Sequence, residues 1–102
     1  MKLPRKLKIK RSTWQVKFDE SIEKTDDAVG LCVFSSKKIL ISPNQDSNDL
    51  ADTLLHEILH AIWPTDLCGD KLEEKLVARL AGSLLQILQD NKLKFKKKIK
   101  HK

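Results

Sequence analysis

The chain has no tyrosine, only two tryptophans and three phenylalanines, two cysteines, and no apolar run long enough to cross a bilayer. Each scarcity excludes something. So few aromatic rings give poor support to a platform on which bases would stack. Cys32 and Cys68 stand far apart without a CxxC partner, which excludes a zinc ribbon and points to reduced thiols rather than a disulfide framework. The amino end, MKLPRKLKIKRS, alternates Leu and Ile with Lys and lacks the continuous apolar stretch of a secretory signal. A protein that stays in the compartment where it is made, with no membrane partner, is expected.

At 102 residues the sequence is expected to form a single domain, 1–102, with a modest core and a basic carboxyl-terminal tail from about residue 92. Its net charge of +6 is divided unevenly. Residues 1–11 carry 6 basic side chains, residues 92–102 carry 7, and neither end holds an acid, while the stretch between them has a net charge of −7. Basic ends of this kind either solubilise the chain or engage a polyanion such as nucleic acid through phosphate contacts.

Period-two alternation dominates the first half. Leu7 and Ile9 alternate with lysines, and Trp14, Val16 and Phe18 alternate with Thr13, Gln15 and Lys17, predicting two short strands or one bent one. A polar connection follows from Glu20 to Asp27. The apolar runs Leu31 to Phe34 and Ile39 to Ile41, separated by Ser35 to Lys38, then predict a hairpin with a non-ideal turn. Pro43 ends the last strand, and Asp46 or Ser47 can cap the helix that comes next. Pro64 stops that helix after Trp63. Asp70, with Glu73 three residues on, resembles a capping box opening a second helix whose apolar positions run from Leu72 to Leu88. The expected fold is α+β: a small, mostly antiparallel sheet of three to four strands, then two packed helices.

Within the first long helix stands HEILH. His56 and His60, one turn apart, leave the helix about 5–6 Å from each other at Cβ, a gap that one zinc ion closes with bonds of about 2.0–2.1 Å. Glu57, one residue from His56, turns away from ligation and toward a metal-bound water, where a general base is needed. A solvated polar stripe would carry the same residues. The helix is, however, rich in Leu and Ile outside the stripe, which predicts that the stripe faces another element. A catalytic zinc needs a third protein ligand, and the acids opening the second helix supply two candidates. Adjacent positions point about 100° apart, so Glu73 and Glu74 cannot share a role. Glu74 shares a side with Ala78, Ala81, Gly82 and Leu85, small residues that would let the helices approach closely. Glu73 has a cap to serve but lies nearer the centre of the apolar face, so it stays the alternative ligand.

TLLHEILHAIW followed by LEEKLVARLAGSLLQIL resembles the small phage-encoded zinc metallopeptidase-like proteins, relatives of the ImmA/IrrE and SprT-like gluzincin families, over most of the chain. In that pattern a Glu on the next helix stands three residues before a small or apolar position and ahead of a Phe-Ala or Leu-Ala pair, and Glu74, Val77, Leu80 and Ala81 match it. The resemblance implies one zinc per chain held by His56, His60 and Glu74, Glu57 as general base, and a protein or peptide substrate in a bacterial cytoplasm. It also implies that the strand Ile39, Leu40, Ile41 and Ser42 receives the extended substrate by edge pairing. The sequence departs from a proficient peptidase in one respect. No Tyr is present to donate to the developing oxyanion, and the third histidine, His101, stands in the basic tail. A catalytically weak zinc-containing module that engages a protein or nucleic acid through its basic ends is the competing expectation.

Overall fold

A computed structural model describes residues 3–63 and 68–91. Pro64, the tail from residue 92 and His101 lie outside the described residues. The elements are β1 (Lys6–Ile9), β2 (Ser12–Phe18), the short helix α1 (Ile22–Thr25), β3 (Gly30–Val33), β4 (Lys38–Ile41), α2 (Ser47–Ile62) and α3 (Asp70–Asn91). The architecture is α+β, as expected from the alternation in the first half and the helical spacing in the second. Four strands form one sheet in the order β1-β2-β4-β3. The β1/β2 and β3/β4 pairs are antiparallel hairpins, and β2 and β4 lie parallel, with Val16 opposite Ile39.

That parallel pair overturns one expectation. Ile39, Leu40, Ile41 and Ser42 are not at an edge, because β4 is flanked by β2 on one side and β3 on the other. Ile39, Ile41 and Ser42 are fully buried. The free edge near α2 belongs to β3. The parallel pairing needs a crossover, and the polar connection after β2 supplies it by folding into α1. Its single apolar residue, Ile22, is buried, and Glu23 accepts a hydrogen bond from the Ser42 hydroxyl, tying α1 to the end of β4.

The core lies between the sheet and α2: Ile9, Trp14, Val16, Ile39 and Ile41 meet Leu50 and Leu54. Asp46 caps α2 by accepting from the Asp49 amide at 2.8 Å. Gln45 then fixes where the helix lies, its amide nitrogen donating to Ser42 O at 2.9 Å while its Oε1 accepts from the Thr53 hydroxyl at 2.7 Å. The helix ends at Ile62, with Trp63 as its extended C-cap.

α3 packs on α2 with Val77 and Ala81 buried, and here three expectations fail. Leu72, Leu76, Leu80 and Leu84 belong to the predicted apolar face but are all at least 37% exposed. Residues spaced by four drift 40° per step around a helix, and the arc they sweep lies beside the α2 contact, not in it. Gly82, expected at a close helix approach, is exposed, and a Cβ there would meet nothing within 4 Å. Asp70 is already helical, the Glu73 amide bonds to Gly69 O at 2.9 Å, and the Glu73 carboxylate is engaged elsewhere, so no capping box forms.

Candidate metal centre

On α2 the buried positions Leu50, Thr53, Leu54 and Glu57 recur with helical spacing, so part of the polar stripe is interior. His56 and His60 flank it and face the start of α3. His56 Nε2 lies 2.6 Å from Glu74 Oε1, His60 Nε2 lies 3.2 Å from Glu74 Oε2, and the two Nε2 atoms are 3.2 Å apart. Donor atoms around one tetrahedral ion with bonds of about 2.0–2.1 Å stand about 3.3–3.4 Å from each other. All three candidate ligands therefore already converge, with their donor atoms within 4.8 Å of one another. Glu74 joins them despite a side chain 60% exposed, which leaves that flank of the cluster open to solvent.

Glu73 occupies a different position. Its Oε2 is 2.7 Å from His60 Nδ1, on the far side of the ring from Glu74. A carboxylate only accepts, so in the neutral ring Nδ1 carries the proton and Nε2 presents its lone pair to His56 and Glu74. Without a cation, His56 Nε2 donates to Glu74 Oε1 at 2.6 Å; with that proton displaced, two imidazole nitrogens and a carboxylate face one point, a donor set that suits zinc. The sequence separated Glu73 from Glu74 but did not identify this orienting contact. The relevant signal was the requirement that a ligating ring have its second nitrogen held.

Glu57 is 6% exposed. Burial pushes its carboxyl above the ordinary value, and the nearby Glu74 adds to the rise, against a downward pull from His56 and His60. Cys32, across the cleft on β3, is pushed up to about 12 by burial and by the charge of Glu57. Gly30 begins β3 directly above Glu57. A Cβ built there would lie 2.6 Å from Thr53 Cγ2 and 2.8 Å from Glu57 Oε2, so only glycine lets the strand pass this close. Sequence reasoning began this apolar run at Leu31 and missed the role of Gly30, although a glycine beside a strand pattern is a recognised mark of close approach.

The histidines, Glu57, Glu74 and β3 from Gly30 to Cys32 line a cavity of about 680 Å³. Of the site residues expected from sequence, His56, Glu57, His60, Glu74 and Glu73 come together. Ile39, Leu40, Ile41 and Ser42 do not line this cavity, and their place beside it is taken by β3. Among the described residues no helix is long and apolar enough to cross a membrane. A scan against protein-family models matched none, and searches of curated proteins and of solved structures returned no match.

Proposed function

We propose that the chain is a zinc-dependent metallopeptidase of the gluzincin kind, acting on a protein or peptide. The observation that carries this reading is the convergence of His56 Nε2, His60 Nε2 and a Glu74 oxygen beside a buried carboxyl, Glu57, at the wall of an open cleft. His56, His60 and Glu74 would hold the ion, which when bound supplies Lewis acidity toward a carbonyl and toward water. Glu57 takes a proton from the attacking water and delivers it to the leaving amine. Its raised pKa brings it nearer to neutrality, where a general base works best. Glu73 holds the His60 ring in the ligating tautomer. The exposed edge of β3, running past Glu57, offers backbone groups on which an extended peptide can add as a further strand. This assigns to β3 the role that the family resemblance implies for β4.

The test uses the zinc-supplemented chain and Glu57→Gln on a mixed-sequence peptide library read by mass spectrometry. Cleavage by the parent chain, abolished in Glu57→Gln while zinc binding persists, is expected. Cleavage that survives in Glu57→Gln, or a zinc-loaded parent that cuts nothing in the library, would contradict the proposal.

A further inference from the structure

The four-stranded sheet has two faces, and α2 covers one of them. On that covered face stand Ile9, Trp14, Val16, Ile39 and Ile41. Because side chains alternate, the residues between them project from the other face. The pairing register places Lys6 beside Gln15, Gln15 beside Lys38, Lys8 beside Thr13, and Lys17 beside Leu40. Four lysines from β1, β2 and β4 thus share one surface, and no strand contributes an acid.

We infer that this open face of the sheet is a docking surface for the phosphate backbone of duplex DNA. Lys17 is the diagonal neighbour of both Lys6 and Lys38, a separation of about 7–8 Å, and Lys6 and Lys8 are two residues apart on one strand, about 6.6–6.8 Å. Each strand of duplex DNA carries one phosphate charge per about 3.4 Å of helix axis, so lysines this closely spaced meet several phosphates at once. None of them is neutralised by the protein itself: among the described residues every ion pair involves His56 or His60. Arg5, Lys10, Arg11 and Lys37 extend the same charge into the adjoining turns.

The rest of the face selects the ligand class. It presents no aromatic ring, so bases of a single strand have nothing to stack on. Its strands present no exposed large apolar residue there either, since Leu31, Val33 and Leu40 are half-buried and the exposed Phe18 belongs to the other face. An anionic membrane would find charge but nothing to insert. Glu57, Glu73 and Glu74 lie in the α2/α3 cleft on the covered side of the sheet, and the acids nearest β2, Asp19 and Glu20, follow its end. Binding through lysines to phosphate alone is indifferent to sequence and falls steeply with salt. Part of the basic amino end is therefore a folded strand, β1, in this surface and not a tail.

The experiment measures fluorescence anisotropy of a labelled mixed-sequence DNA duplex with the full chain, between about 50 and 200 mM salt. It compares the parent with a variant carrying Lys6→Gln, Lys8→Gln, Lys17→Gln and Lys38→Gln, and with a charge-matched variant of Lys94, Lys96, Lys97 and Lys98. Circular dichroism and zinc titration confirm that the fold and the α2/α3 site are intact. The sheet variant should lose at least about tenfold in affinity and lower the salt slope by about 3.6, near 0.9 for each of the four lost contacts, and should lose more than the tail variant. An unchanged slope in the sheet variant overturns the inference. So does loss confined to the tail variant, or a sheet variant impaired on anionic vesicles but not on the duplex.

Discussion

Gly30→Ala tests how closely β3 lies over the site. The added Cβ would stand 2.6 Å from Thr53 Cγ2, 2.8 Å from Glu57 Oε2 and 3.1 Å from Glu57 Cγ. Two of these three distances are too short to exist, so the strand, the helix or the Glu57 side chain must move. Overpacking of this kind costs about 1–3 kcal/mol, and reduced freedom of the unfolded chain returns about 0.4–1 kcal/mol. A net loss of about 1–2 kcal/mol is expected, at about 4–8 °C of melting temperature for each kcal/mol in a domain of this size. Gly82→Ala is the control, because its Cβ meets nothing within 4 Å and its helix gains about 0.8–1 kcal/mol from alanine. The two glycines should therefore shift thermal unfolding in opposite directions. Adding Thr53→Ser to Gly30→Ala deletes the closest obstructing methyl while keeping the hydroxyl that donates to Gln45, and should recover part of the loss. A Gly30→Ala protein that melts at or above the parent would refute the close approach of β3 to Glu57.

Glu74→Ala should weaken zinc far more than Glu73→Gln, whose loss should stay within about 10–100-fold, as for other carboxylates behind a ligating ring. Competition with a chromophoric chelator measures both, and the reverse order would make Glu73 the ligand. Stability of the metal-free protein should also depend on Glu57. Its folded pKa is raised, mainly by burial, so the stability it contributes is complete at acid pH and is lost as pH rises through that folded value. Glu57→Gln should flatten this part of the profile in melts between about pH 4 and 8; a parallel decline in both proteins would argue against it. With its thiol pushed up to about 12, Cys32 should resist iodoacetamide near pH 8 in the folded chain and react on unfolding. Mass mapping that finds it alkylated at the unfolded rate would contradict its place in the cleft wall.

What could be read from the sequence was local. HEILH carries its geometry within one helical turn, and the cap at Asp46 and the β3/β4 hairpin are set by neighbours in the chain. The order of the strands is not local. The alternation in Lys38–Ile41 says that a strand has a buried face, yet it does not say which strands flank it, and the edge position expected of β4 belongs to β3. α1 was hidden because one buried residue, Ile22, gives no periodicity. In α3 the apolar positions sweep an arc wider than a single partner helix can cover, and only packing decides that Val77 and Ala81 go inside while Leu80 stays out. The same limit explains why Glu73 looked like a cap residue. Its partner, His60, is thirteen residues away and was reserved for the metal.

Calorimetric titration of the metal-free chain with zinc, paired with the same titration of His60→Ala, measures the cation site directly. One ion per parent chain, with affinity sharply reduced in the variant, is the predicted result. A folded parent that takes up no zinc, or a His60→Ala chain that binds it as tightly as the parent, would contradict a centre built from His56, His60 and Glu74.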